Sequence, residues 1–261
     1  MRSVFSRIMR PADGVAWVTG ASSGIGRATA LRLAADGWTV FATARRTDRL
    51  EALAQQASGK GHIIPMPGDV TDPSRMKDII AKITETHTLA LAILNAGIYM
   101  PMRAQAFSAA TAKDMIDVNL GGVCNALDPV LATMIAQRTG HVAVMASVAG
   151  YRGLPGAAPY SASKAGLIAL CEALAMDLVG QGVRISVVNP GFVDTDATAI
   201  NDFRMPFLMT TEKAANRVVR GLKRPGFEIR FPRRFALILR IVGLLPNRAY
   251  IRVIRAATGW K

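Results

Sequence analysis

The run PYSASKAGL at residues 159–167 opens an apolar helical pattern that carries a tyrosine and a lysine four positions apart. Residues at i and i+4 share one helix face, so Tyr160 and Lys164 are expected to project together. A phenol can give a proton to, or take one from, a reacting oxygen. Its ordinary pKa, about 10, is high for exchange at neutral pH. An ammonium one turn away favours the phenolate and pulls that value down. The pair therefore predicts proton transfer at Tyr160 tuned by Lys164. By itself, however, a Tyr-x3-Lys spacing is also a common amphipathic surface, so the rest of the chain must decide.

A second group lies near the N-terminus, in TGASSGIG at residues 19–26. Gly20, Gly24 and Gly26, with Ser22, Ser23 and Ile25 between them, follow an apolar strand pattern and open a helical one. Glycines there allow a tight turn and let backbone N–H groups approach a pyrophosphate at the helix N-terminus. A dinucleotide site is expected to place an acid about 20 residues further on, for the ribose 2′-hydroxyl. Arg45 and Arg46 stand there instead. Guanidinium groups suit a 2′-phosphate through charge-assisted hydrogen bonds, which an acid would repel. The expected cofactor is NADP(H).

The elements that must position these residues alternate. Strand patterns at 14–20, 38–44, within 61–70, and at 89–97, 140–147, 183–191 and 227–231 are separated by helical ones. The helices read as 26–37, 47–58 with Thr47 as cap, 72–85 with Asp72 as cap and Pro73 first, 111–137, 159–180 and 211–224. Alternation of this kind implies a parallel sheet covered on both faces, with ligands at the carboxyl ends of the strands. The fold class expected is α/β, a Rossmann-type doubly wound parallel sheet of about seven strands.

With these elements in order, the chain closely resembles the short-chain dehydrogenases/reductases from about residue 13 to residue 231. The resemblance rests on the Gly-x3-Gly-x-Gly loop, LNAG at the fourth strand end, a serine at the fifth, YSASK on the next helix and NPGFVDT after the sixth strand. It implies a nicotinamide cofactor and interconversion of a carbonyl and an alcohol. Asn119, Ser147, Tyr160 and Lys164 match the family's catalytic residues. Tyr160 would be the general acid/base, Ser147 would orient the substrate oxygen, and Lys164 would lower the tyrosine pKa and hold the ribose. Asn119 would support Lys164. Asp69 and Val70 match the pair that contacts adenine, Asn95, Ala96 and Gly97 the segment passed by the ribose, and Pro190, Gly191, Val193 and Thr195 the segment that holds the carboxamide. A catalytically silent NADP(H)-binding sensor or scaffold is the alternative.

Segments after the fourth, fifth and sixth strands should face the substrate. Met100, Met102, Tyr151, Leu154, Phe192, Phe203, Met205, Phe207 and Leu208 stand out there and suggest a lipophilic small molecule. Cys124 and Cys171 read as buried small hydrophobes, His62, His87 and His141 as structural, and no metal site or disulfide is expected. The two long helices are apolar beyond what one sheet face needs, and with the family's habit this predicts a homodimer or tetramer. No signal-peptide core and no apolar stretch of about 20 residues is evident, so a cytoplasmic protein is expected.

The net charge of +14 in 261 residues is unevenly placed: +11 falls on residues 217–261 and only +3 on the rest. A near-neutral body without a reading motif argues against nucleic acid. Residues 1–231 read as one cofactor-binding domain and 232–261 as a basic, apolar tail. Within the tail, 235–245 is apolar apart from Arg240. Pro246 breaks the pattern, Asn247 can cap a second helix, and Arg248, Arg252 and Arg255 share a face opposite Tyr250, Ile251 and Ile254. Two roles stay open for the tail: a lid or subunit contact, or a segment lying on an anionic membrane surface.

Overall fold

All five residues of β1 (Val15–Thr19) are buried, as a strand covered on both faces requires. The computed structural model describes residues 8–201 and 205–259. The other strands are β2 (Thr39–Thr43), β3 (His62–Pro65), β4 (Leu89–Leu94), β5 (Gly140–Met145), β6 (Val183–Pro190) and β7 (Glu228–Phe231). They form one sheet in the order β3-β2-β1-β4-β5-β6-β7, and every pairing is parallel. The strand order reverses between β1 and β4, so their carboxyl ends frame the crevice where such sheets bind ligands.

Helices cover both faces. On one side α1 (Gly24–Ala35), α2 (Thr47–Gln55) and α7 (Thr211–Leu222) bury Leu33, Leu50 and Val218 with Val18 and Val40 of the sheet. On the other, α3 (Pro73–Thr84), α5 (Gly122–Gln137) and α6 (Ala158–Asp177) bury Ile79, Val130 and Leu167 with Trp17, Leu89 and Val142. The seven-stranded doubly wound sheet expected from alternation is the fold observed.

Some local expectations shift. Helix α2 starts at Thr47 with Arg46 as its cap residue, so Thr47 lies inside the first turn. The helix expected from residue 111 begins two residues earlier as α4 (Ala109–Ile116), where the Ser108 hydroxyl accepts from the Thr111 amide at 3.2 Å. It continues through a π-helical turn, Asp117–Gly121, into α5. This combined run, Ala109–Gln137, is long enough to cross a bilayer and holds an 18-residue stretch of mean hydropathy 1.3, more than the sequence alone suggested. It serves the core here, burying Met115, Val123, Val130 and Met134. Cys171 is buried as expected, but Cys124 is exposed on α5: it lies outside the stripe made by Val123, Ala126, Leu127 and Val130. His141 is buried in β5 and pairs with the Ser186 hydroxyl at 3.0 Å. Burial, then the charge of Arg184, holds its pKa well below the usual range, which suits a neutral structural ring.

After β7 the chain forms α8 (Arg233–Gly243) and α9 (Asn247–Thr258). Asn247 is the first residue of α9, with Pro246 at the cap position. These helices pack over the loop that follows β5, held chiefly by Arg152. Its guanidinium donates to the carbonyls of Gly243 and Leu245, both at 2.7 Å, and to the Asn247 side chain. The same group stacks 4.0 Å from the Tyr250 ring, and the Tyr250 hydroxyl donates to the Gly153 carbonyl at 2.8 Å.

Candidate active site

The carboxyl ends of β1 and β4 are tied together by one threonine. The Thr19 hydroxyl accepts from the amides of Asn95 (3.0 Å) and Ala96 (3.1 Å), while the Asn95 side chain donates to the carbonyls of Thr19 and Gly20. This holds the glycine loop against LNAG. Gly20 adopts φ +66, and a Cβ there would fall 2.7 Å from the Ala96 Cα; a Cβ on Gly26 would fall 2.4 Å from both the Asn95 side-chain Nδ2 and the Gly20 carbonyl oxygen. Only glycine lets the loop turn and α1 approach this closely. The Ser23 side chain makes no capping hydrogen bond at the start of α1. Amides at a helix start have no intrahelical partner, and they form an anion site.

The glycine loop and residues 95–97 border a cleft of about 550 Å³. Gly20, Ser22, Ser23, Gly24 and Ile25 form one wall, with Arg45, Arg46, Asp69 and Val70 at one end. Arg46 donates to the Ser22 hydroxyl at 3.1 Å, and Arg45 lies 4.0 Å from the Asp69 carboxylate, whose other oxygen accepts from the Thr71 amide and hydroxyl. Asn95, Ala96 and Gly97 line the middle, and Ser147, Tyr160, Lys164, Pro190, Gly191, Val193 and Thr195 the far end. Two expected residues stand behind the wall: Gly26, packed as above, and Asn119, which is fully buried.

Asn119 sits in the π turn, a feature that recurs at functional sites. Its side-chain oxygen accepts from the Ile98 amide at 2.7 Å, and its amide nitrogen donates to the Ile98 carbonyl (2.9 Å) and the Ser163 hydroxyl (3.1 Å). It therefore fixes the strand-end loop to α6. A Cβ on Gly97 would lie 3.1 Å from the Asn119 oxygen and 3.4 Å from the Lys164 amine, so the two side chains meet over one glycine.

Ser147 follows β5, and its hydroxyl accepts from the Ala149 amide at 3.1 Å. It stands close enough to the Tyr160 phenol to lower that group's pKa. The Lys164 amine donates to the Met145 carbonyl at 2.8 Å and lies 5.7 Å from the centre of the Tyr160 ring. The pKa values differ from the expectation drawn from spacing. Burial pushes Tyr160 up to about 12, and Ser147 only partly offsets this. Burial also lowers Lys164 to about 8. Desolvation dominates at both groups, and the Lys164 ammonium does not draw the phenol down, so Tyr160 is a neutral phenol at pH 7, able to donate a proton.

The donor set fits a dinucleotide: uncapped helix amides for a pyrophosphate and a buried ammonium beside a phenol, with two guanidiniums by Ser22 and Asp69 at the opposite end. Tyr99 and Thr198, which the sequence reading passed over, also line the cleft; Tyr99 meets Tyr160 edge-on, with ring centres 5.0 Å apart. No one-dimensional spacing marks either residue.

The substrate side differs more. Of the apolar residues expected there, Leu154 and Phe192 line the cleft. Tyr151 points elsewhere, donating to Glu228 at 2.5 Å, and Met102 is buried in a bridge to Ala157. Phe207 stacks on Phe235 at 5.7 Å. Met100, Met205 and Leu208 are not part of the lining, and Phe203 lies outside the described residues. Phe235 and Thr258 of the tail helices complete the lining. The tail therefore contributes to the wall of the cleft. Glu228 joins it to the sheet: its carboxylate accepts from Asn189 (2.8 Å) and pairs with Arg230 (2.8 Å) and Arg240 (3.0 Å). Burial alone would raise its pKa, but the bonds from Tyr151, Asn189 and Arg230 and the Arg240 charge win, and the carboxyl stays below its usual range.

Comparison with known proteins gives a consistent picture. The family model described as short chain dehydrogenase matches residues 14–203. An uncharacterized oxidoreductase of Myxococcus xanthus is 41% identical over 234 residues, covering 89% of this chain and 92% of that one. The 3-oxoacyl-acyl-carrier-protein reductase FabG of Thermotoga maritima is 36% identical over 192 residues, 73% of this chain and 78% of that one. Among solved structures, an alcohol dehydrogenase from the archaeon Thermococcus sibiricus complexed with 5-hydroxy-NADP superposes with a TM-score of 0.73 at 28% identity, covering 83% of this chain and 95% of that one. A Burkholderia phymatum protein of the same family in complex with NAD gives 0.78 at 24% identity over 89% and 94%, a likeness of fold.

Proposed function

The chain belongs to the short-chain dehydrogenase family, and from that premise we propose that it is an NADP(H)-dependent oxidoreductase. It interconverts a carbonyl and an alcohol on a lipophilic small molecule. The observation that carries this reading is the convergence of Ser147, Tyr160 and Lys164 at one end of the cleft whose other end holds the glycine loop and Arg45 and Arg46. Bound in this cleft, NADPH supplies the hydride. Ser147 donates a hydrogen bond to the substrate carbonyl oxygen and fixes its position. Tyr160, kept protonated by burial, gives its proton to that oxygen as negative charge develops there. Lys164 holds the ribose and places positive charge near the phenol as it becomes phenolate. Asn119 keeps the loop after β4 and α6 in register behind Lys164.

Arg45 and Arg46 take the 2′-phosphate, Asp69 and Val70 the adenine, the start of α1 with Ser22, Ser23 and Ile25 the pyrophosphate, and Pro190, Gly191, Val193 and Thr195 the carboxamide. Residues 1–231 form the cofactor domain, and the tail helices act as a lid over the substrate end. The free thiols suit a reducing cytoplasm. The outer faces of α5 and α6 leave Ile135 and Met176 exposed, which supports pairing into a homodimer or tetramer.

A turnover screen of pooled ketones, aldehydes and secondary alcohols with both nicotinamide cofactors tests this. NADPH should be consumed with at least one carbonyl class and preferred over NADH. Tight NADPH binding with no turnover across the panel would replace the enzyme by a sensor.

A further inference from the structure

The inner faces of α8 and α9 are accounted for by Phe235, Ala236, Tyr250 and Ile254, which are buried. Their outer faces are not. Leu237 is 51% exposed, Ile238 50%, Ile241 59% and Leu244 85%. At 100° per residue these four fall on one side of α8, a continuous apolar stripe turned away from the protein. Ile251 of α9, expected opposite the arginines, is 55% exposed and shares its side with Arg248 and Arg252.

The charge around this stripe is of one sign. Residues 229–261 contain no acid. Arg240 shares the Glu228 carboxylate with Arg230. Arg233, Arg234, Arg248 and Arg252 are exposed and form no ion pair among the described residues. Arg233 and Arg234 stand at the first turn of α8, where long side chains can lay their stems on apolar surface and raise their heads to a polar boundary.

We propose that the outer face of α8–α9 docks this protein on an anionic phospholipid surface. An 11-residue helix is about 16 Å long, too short to cross a hydrocarbon core of about 30 Å. It can lie in the interface plane, its apolar stripe among the acyl chains and its arginines among the headgroup phosphates. A second copy of the chain is the weaker occupant, because a two-fold contact would set this all-basic patch against itself. The docked orientation also brings the cleft close to the bilayer, since Phe235 lines the cleft from the inner side of the same helix and stacks with Phe192 at 5.8 Å. Docking reads out without turnover, so it stands or falls separately from the proposed reaction.

The test is flotation of the full-length protein with vesicles of phosphatidylcholine alone or mixed equally with phosphatidylglycerol, at low and high salt. Wild type should float with the anionic vesicles at low salt and be released by high salt. The double variant Ile241→Glu/Leu244→Glu, on exposed positions, should keep the wild-type melting temperature and lose at least tenfold in binding. Replacing Arg234, Arg248 and Arg252 together by Gln should weaken binding about 100-fold, from roughly fivefold per arginine. Wild type left unbound at low salt would overturn the proposal. So would glutamate variants that bind as wild type, or a salt-resistant dimer that those variants dissolve.

Discussion

Replacing Lys164 by methionine should make the protein more stable while removing its activity. Lys164 is 3% exposed, and its amine donates to the Met145 carbonyl, a neutral acceptor. No carboxylate is among the causes of its pKa shift, which is desolvation. A folded-state value of about 8 against the ordinary 10.5 means that holding the ammonium in the fold opposes folding by about 3 kcal/mol at neutral pH. Methionine has a similar length and no charge to bury. The Met145 carbonyl loses its donor, which gives back about 1 kcal/mol. The variant should therefore gain about 2 kcal/mol at pH 7, or roughly 0.7 M in urea midpoint at an m-value of about 3 kcal/mol/M. The sign fixes the pH dependence. A base whose folded pKa is lowered opposes folding fully below the folded value, and the opposition fades as pH rises towards the unfolded one. The gain should thus be complete below about pH 8 and shrink between 8 and 10.5. Urea unfolding followed by circular dichroism at several pH values measures it. An unchanged or lower midpoint at pH 7, or a gain that does not shrink towards pH 10.5, would refute the reasoning.

Arg45→Asp should lower kcat/KM for NADPH by at least tenfold and move the preference towards NADH, because a carboxylate would then face the 2′-phosphate; initial rates with the two cofactors read this. The reductive kcat/KM, which reports the free enzyme, should hold through neutral pH and fall above about pH 8 as Lys164 loses its charge, while Tyr160, at about 12, stays protonated; a pH–rate profile measures the break. Glu228→Gln leaves the half-exposed Arg230 and Arg240 without their carboxylate, should destabilise by about 1 kcal/mol, and should speed amide exchange in α8 relative to the sheet.

What could be read along the chain was local. The strand-turn-helix at Thr19–Gly26 is set by glycine positions that the backbone demands, and the pair Tyr160 and Lys164 by one helical turn. The parallel sheet covered on both faces followed from alternation of strand and helix patterns, but its strand order came only with the structure. What could not be read depends on packing between distant segments. The direction of the Tyr160 shift is set by burial from several elements at once, which a four-residue spacing does not encode. The π turn at Asn119 looks like ordinary helix in sequence. Tyr151 was expected to face substrate, yet it serves Glu228, 77 positions away. The place of Phe235 in the cleft wall depends on Arg152 gripping the end of α8, a contact between loop and tail that no periodicity announces.

The central claim is that Tyr160 is the proton donor in a cleft built for NADPH. Stopped-flow absorbance of NADPH with a carbonyl that the wild type turns over tests it most directly, run beside Tyr160→Phe and paired with a cofactor titration. The variant should bind NADPH within about twofold of wild type, since the ring and its packing remain. Its hydride transfer should fall by about 10²–10⁴, the range expected for loss of a general acid. Transfer at the wild-type rate in Tyr160→Phe, with NADPH binding intact, would contradict the account.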